Sequence, residues 1–228
     1  MSDHHILHAF ESALTTVRQD VVAMGQIALK SLHGAMNGLA QRKDDLCNAV
    51  IADDDEIDQL EKKIDRDGLQ LLMKFSPMGR DLRRALAAMK VGQQLERVAD
   101  EAVNIARRAR RLNAHPPLAE TDRIKDVFNL AESMLADAIQ SFNNYDLKLA
   151  LSIEARDQAL DDLHSDIIKS LVSRGQEDAS HLDDYVNIMF IVRFLERVGD
   201  HAVNIAEDTV YAETAHDIRH GGERPSVG

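Results

Sequence analysis

What this chain has little of narrows the possibilities first. Its one cysteine, Cys47, stands alone among 228 residues. It can close no intrachain disulfide and cannot join a cysteine-lined structural zinc site, and it fits a reducing compartment. Tryptophan is absent, aromatics make up 4% of the chain, and there are four prolines. With Ala, Leu, Asp, Glu and Arg abundant, that mixture favours long helices over a large sheet. No run approaches the ~20 apolar residues of a membrane span. Even VNIMFIV at 186–192 is short and interrupted by Asn187. The opening MSDHHILHAFESAL lacks the basic-then-apolar order of a secretion signal. Positive charge is also short. The net charge of -12 argues against nonspecific nucleic-acid binding, because neutralising phosphates takes an excess of Lys and Arg. The expectation is a soluble, cytoplasmic protein that meets a membrane only through a partner.

Familiar catalytic signatures are missing as well. There is no Gly-x-x-x-x-Gly-Lys loop, no Gly-x-Ser-x-Gly and no His-Glu-x-x-His. The Glu-x-x-His signature of di-iron bundles does not occur; the nearest instance is Asp161 followed by His164. No general base or nucleophile stands beside the acids discussed below, so a non-enzymatic role is expected. The alternatives are a metal-dependent hydrolase or oxidase and a purely structural helical scaffold.

What is present is a helical rhythm. Apolar residues recur at three and four almost throughout. Helices are predicted from about 5 to the Gly34, Gly38 and QRKDD breakers, from 44 to 75, and from SPMG to about 112. In SPMG, Ser76 is placed to cap and Pro77 to occupy a first turn. RRARR at 107–111 falls near the negative end of that helix dipole. NAHPPLAE, with Pro116 and Pro117, is the strongest boundary. Three more helices follow, at about 121–142, from NNYD to about 173 before Gly175, and at 179–212. Short turns force neighbouring helices antiparallel. The predicted fold is all-α, two tandem three-helix antiparallel bundles related by internal duplication. They span 1–113 and 121–213, with a proline linker at 114–120 and a loose tail at 214–228.

The duplication is written into the sequence. LERVADEAVNIA at 95–106 returns as LERVGDHAVNIA at 195–206, and ten of the twelve residues are unchanged. At roughly 100° per residue, Glu96, Asp100 and Asn104 fall on one stripe, with Leu95, Val98, Ala102 and Ile105 on the far side. Glu196, Asp200 and Asn204 repeat that stripe. The differing positions are Ala99/Gly199 and Glu101/His201, and the second pair flanks the stripe. The preceding helix of each half carries its own acids. Asp54, Asp58, Glu61 and Asp65 share a face opposite Ile57, Leu60 and Ile64; Asp157 and Asp161 take the corresponding places later, with His164 where the first half has Glu61.

Like charges four apart destabilise a helix by a few tenths of a kcal/mol. Two such stripes brought together call for a counter-charge, and carboxylate oxygens suit magnesium, manganese, calcium or oxidised iron. The same acids also read as solvated helix faces bridged to Arg97, Arg197, Lys62 or Lys63. Cys47 reads as a buried structural thiol, and RDLRR at 80–84 as helix surface or a dock for an acidic partner.

The segments RRALAAMKVGQQLERVADEAVNIARRA and NIMFIVRFLERVGDHAVNIAEDTVY, with DDEIDQLEKKI, RDQALDDLHSDI and SPMGRDLR, resemble the PhoU family of phosphate-signalling proteins. The likeness runs from about His5 to Tyr211. It implies six helices in two bundles. It also implies multinuclear metal sites on Asp54, Asp58, Glu96 and Asp100 in the first half, and on Asp157, Asp161, Glu196 and Asp200 in the second. Iron, manganese, magnesium or zinc would be the metal. By that resemblance the protein is a homodimer that restrains phosphate uptake and starvation signalling by contacting the phosphate ABC transporter and a membrane sensor histidine kinase.

Overall fold

The computed structural model describes residues 2–219, apart from the side chains of 2–6 and of 54. Among these residues the fold is all-α, and it is the duplicated two-bundle arrangement. The first half holds α1 (Ser2–Ala40), α2 (Asp44–Ala52), α3 (Asp54–Phe75) and α4 (Gly79–Asn113). The second holds a 3-10 turn (Ala119–Arg123), α5 (Ile124–Asn144), α6 (Leu147–Glu177), a further 3-10 turn (Ala179–His181) and α7 (Leu182–Thr214).

Where the expected boundaries fail, packing or charge explains the difference. The rod expected across 44–75 is broken at Asp53, whose φ of -85 and ψ of 6 divide α2 from α3. Four acids in succession (53–56) repel one another along one helix and are favoured at the start of a new one, where the dipole is positive. Gly34 and Gly38 do not end α1; they lie inside it. A Cβ at Gly38 would stand 2.4 Å from the Cys47 sulfur, and one at Gly34 would stand 2.7 Å from Val50. These glycines let α2 lie close against α1. Cys47 is fully buried there as a free thiol, and burial pushes its pKa up to about 11.

Ser76 caps no following helix. It closes α3 in the left-handed region at φ 44, its N–H bonded to Leu72 O, and Met78 precedes α4 instead. Gly175 likewise falls within α6, packed against Leu182 and Tyr185. The Asn-Asn-Tyr-Asp turn behaves as its composition suggests: Tyr145 ends α5 at φ 54, and the Asp146 carboxylate accepts from Leu149 N–H to start α6. The tail expected to be loose is partly held, since Ile218 is buried in the core; residues 220–228 lie outside the described ones. Before the proline linker, Arg42 donates to the carbonyls of Leu112, Asn113 and His115, satisfying acceptors left open at the end of α4.

One apolar core runs through both halves. Met24 and Leu32 of α1, Leu95 of α4, Phe142 of α5, Leu160 of α6 and Ile205 of α7 all belong to it and are almost wholly buried. Each such side chain contributes about 1.5–3 kcal/mol by leaving water. A smaller cluster of Phe10, Leu14, Leu71 and Ala85 closes the tip where α1 meets the α3–α4 hairpin.

The two halves join along α4 and α7. Arg84 pairs with Glu213 at 2.6 Å, Lys90 with Asp208 at 3.0 Å, Glu101 with Arg197 at 2.8 Å and Arg108 with Asn187 at 3.1 Å. As the α4 number rises the α7 number falls, so the helices are antiparallel. Because equivalent residues differ by one hundred, the seam has a pseudo-twofold axis near Ala99 and Gly199.

Candidate functional site

The same amphipathic spacing that buries Leu95, Val98 and Ala102 turns Glu96 and Asp100 to the side of α4 that meets α3. Gly68 lies against Met89 and Gly92 against Ile64, which fixes the antiparallel register of that hairpin. In that register Glu61 comes opposite Glu96, and Asp58 comes opposite Asp100. The electrostatics agree. Burial first, then Asp100, Glu61 and Asp58, raise the Glu96 pKa. Burial first, then Asp65 and Asp58, raise that of Glu61. Three of the four predicted ligands of this half are therefore neighbours. The fourth, Asp54, has a side chain outside the described residues.

The second half repeats the arrangement between α6 and α7. Asp157 is raised by burial, then Asp161 and Asp200, and Glu196 by burial against the opposing pull of Arg193, with Asp161 and Asp157 adding to the rise. Asp200 is exposed at its surface but flanked by protein and by Glu196, and reaches about 6. All four predicted ligands of this half lie in one field of mutual repulsion. His164 joins its edge, held below its ordinary pKa by burial and then by Arg193.

These acids are unevenly covered: Asp58 and Asp100 are about half exposed and Asp200 is exposed, whereas Glu96 and Glu196 sink into the groove between two helices. Glu196 is buried, with its Oε2 sealed from solvent and lacking a hydrogen-bond partner; Asp65 Oδ1 is in the same state. Arginines reach both sites. Arg97 lies 3.5 Å from Glu96 and 3.8 Å from Asp100, and Arg193 is hydrogen-bonded to Glu196. Lys62 stands 4.0 Å from Asp58, whereas Lys63 turns to Asp20 and Asp67. Among the described residues, no three Asp, Glu, His or Cys side chains are gathered about one point as metal ligands.

The residue pair that breaks the repeat is explained by the seam. Glu101 does not flank a surface stripe; it is 2% exposed and pairs with Arg197 of the other half. The pseudo-twofold axis puts His201 where it faces Arg97. Burial, Arg197 and Arg97 hold its pKa down at about 4, and its Nδ1 lies 2.8 Å from Gln94 Oε1. A neutral imidazole beside one arginine and a carboxylate beside the other break the symmetry of the join. The helical wheel alone could not reveal this, because it places the position on α4 without showing which helix covers it.

Helical halves repeated about a pseudo-twofold seam, each with opposed acidic faces in a helix groove, define a duplicated acid-faced bundle protein. The comparisons give that class its family. A model of the PhoU domain matches twice, over residues 21–109 and 124–209. A phosphate-specific transport system accessory protein PhoU homolog from Pseudomonas aeruginosa is 34% identical over 221 residues, covering 96% of this chain and 91% of that one. A protein of the same name from Xylella fastidiosa is 30% identical, covering 92% of this chain and 87% of its own. The crystal structure of PhoU from Pseudomonas aeruginosa superposes with a TM-score of 0.85 at 33% identity, over 89% of this chain and 98% of that one. The regulatory protein PhoU of the Streptococcus pneumoniae phosphate transport system gives 0.84 at 26% identity, over 91% and 98% of the two chains. The chain belongs to the PhoU family. These relatives are named as accessory or regulatory proteins. Among the described residues no helix is long and apolar enough to cross a membrane.

Proposed function

We propose that this chain is an accessory protein of phosphate transport that restrains phosphate uptake and phosphate-starvation signalling from the cytoplasm. It acts by contact, docking on cytoplasmic parts of the phosphate ABC transporter and of a sensor histidine kinase. Turnover of a substrate has no part in this reading. The names of the relatives support the phosphate system, and the facing carboxylates support a metal-loaded docking surface.

The single observation that carries the metal reading is the repeated meeting of acids across the α3–α4 and α6–α7 grooves, where burial and then neighbouring carboxylates raise the pKa of Glu96, Asp157 and Asp200. An all-oxygen donor set suits magnesium, manganese or oxidised iron, and zinc less well. A buried, unpartnered Glu196 oxygen fits the same picture. In this reading Asp54, Asp58, Glu96 and Asp100 hold metal in the first half, and Asp157, Asp161, Glu196 and Asp200 in the second. A bound cation would supply the positive charge that Arg97 and Arg193 now bring to these acids. When bound, the metal would neutralise each face and present a Lewis-acidic surface to a partner.

The test has two arms. Metal content is measured on native protein and on Asp100→Ala and Asp200→Ala, and each substitution is expected to deplete its own half. Co-purification from phosphate-rich and phosphate-starved cells, with the membrane proteins identified, is expected to recover the transporter and kinase, and in different proportions. Metal-free native protein together with variants that leave phosphate regulation intact would sink the metal reading. Recovery of neither partner would sink the docking reading.

A further inference from the structure

The first helix carries a donor that nothing in the chain satisfies. Arg18 Nε is sealed from solvent and has no hydrogen-bond partner among the described residues. Buried N–H groups are almost always paired, so an orphan of this kind calls for an acceptor from outside the chain. Arg18 lines a cavity of about 310 Å³ where α1, α4 and the α5–α6 turn come together.

A second guanidinium lines the same cavity and is already held still. Arg84 of α4 gives Nε and Nη2 to the Glu213 carboxylate, at 2.6 and 3.0 Å, which leaves Nη1 to donate elsewhere. Tyr145 joins the two cations: its ring centroid lies 4.0 Å from the Arg84 guanidinium carbon and 5.2 Å from that of Arg18. Its φ of 54 lies in the left-handed region that Gly or Asn occupies with less strain. A bulky side chain kept in such a conformation marks a position where the ring itself is needed. Two guanidiniums gathered at one ring repel each other, and an anion between them relieves that repulsion. Thr15 adds a hydroxyl, and Phe10 and Leu14 give the cavity an apolar wall against which charged hydrogen bonds are stronger.

We propose that this cavity binds inorganic phosphate. Two arginine forks suit the oxygens of a tetrahedral oxyanion. Which oxyanion is decided by the acids, for Glu11 and Asp81 line the cavity too. They repel an anion that has lost every proton. One that keeps a proton donates it to a carboxylate and still accepts from both guanidiniums. Inorganic phosphate keeps a proton throughout the neutral range and sulfate keeps none, while a phosphate monoester loses its last at about pH 6. The site is separate from the acidic grooves, since Arg84 lies about 18 Å before Glu96 along α4.

The test uses the full chain freed of metal by chelator, so that no cation in the acidic grooves can hold the anion. Titration with inorganic phosphate is followed by calorimetry and by the NMR signal of the Arg18 Nε–H group. One phosphate per chain is expected to bind with a Kd of about 1 mM or tighter and to shift that signal. Sulfate and phenyl phosphate are expected to bind at least about tenfold more weakly. Arg18→Met removes the fork, and Arg18→Lys keeps the charge without the Nε donor. Each is expected to weaken phosphate binding by about tenfold or more, the worth of one charge-assisted hydrogen bond, with an unchanged circular dichroism spectrum. Should the methionine variant unfold, the lysine variant carries the test. Absence of binding at about 10 mM phosphate overturns the proposal. So does full binding by the folded Arg18 variants, which would put the anion elsewhere. Sulfate or phenyl phosphate bound as tightly as phosphate overturns the assignment to a protonated oxyanion.

Discussion

Replacing Glu101 by alanine tests the seam where the two halves meet. The wild-type carboxylate is 2% exposed, is 2.8 Å from Arg197, and keeps its Oε2 buried without a hydrogen-bond partner. Losing a hydrogen bond to a charged group costs about 1.5–3 kcal/mol. Against that, the variant no longer has to hold a dehydrated carboxylate, and Arg197, 43% exposed, can recover water. The 3–5 kcal/mol typical of stranding a fully buried charge is therefore not reached. We expect a loss of about 2 kcal/mol at neutral pH, equivalent to about 4–8 °C in Tm for a chain of this size. The pH dependence carries the sharper test. Burial outweighs Arg197 and raises the Glu101 pKa above its ordinary value. The native state then binds the proton more readily than the unfolded state does. Wild type loses stability relative to the variant as pH climbs from near 4.3 through the native pKa. The variant's deficit should be largest at acid pH and shrink toward neutrality, read by urea unfolding of both proteins between pH 4 and 8. A deficit that widens as pH rises would mean that attraction to Arg197 dominates burial, and the reasoning would be wrong.

Four further outcomes follow from packing and titration. Gly199→Ala places a Cβ 2.1 Å from Leu160 Cδ2 in the core, so overpacking of about 1–3 kcal/mol should outweigh the roughly 1 kcal/mol gained in helix propensity; a higher Tm would show that Leu160 yields freely. Asp200 should titrate near 6 in metal-free protein by carboxyl NMR and shift downward when a divalent cation is added; a midpoint near 4 without metal would remove the crowding of acids. For the same reason Asp200→Asn should gain on the order of 1 kcal/mol over wild type above pH 6, discounted for its exposure, and lose that gain in acid. Cys47, buried and with a pKa of about 11, should resist alkylation at pH 8 until urea unfolds the chain; a native rate equal to the unfolded one would show that α2 does not pack on α1.

The helices, the duplication and the acidic stripes could all be read from spacing, because 3.6-residue periodicity is a property of one segment at a time. Leu95 and Ile64 announce their faces without reference to any neighbour. What stayed hidden depends on two segments at once. Gly38 looked like a terminator because nothing local says that Cys47 arrives beside it. Glu101 looked like a flank because its partner, Arg197, lies on the far side of the proline linker. Arg193 gave no sign of reaching Glu196 in preference to solvent. Ser76 and Pro77 read as an N-terminal cap, since their composition suits that role two residues too early as well as it would in place. Of the eight proposed ligands, the register of the hairpins brings seven into two neighbourhoods; spacing showed each stripe, and only the packing shows how they face one another.

The seam on α4 and α7 also sets what each half would need if it stood alone. Either half cut free would leave its long inner helix bare along a line of small and apolar side chains, and would need a twin to cover it. Residues 1–113 could supply that twin, because Glu101 of each copy would find Arg97 of the other in place of Arg197. Residues 121–213 would instead bring His201 against Arg197 twice over, with no acid between them. The seam therefore suits a symmetric pairing of the first half with itself better than one of the second half, where imidazole stands in place of the acid.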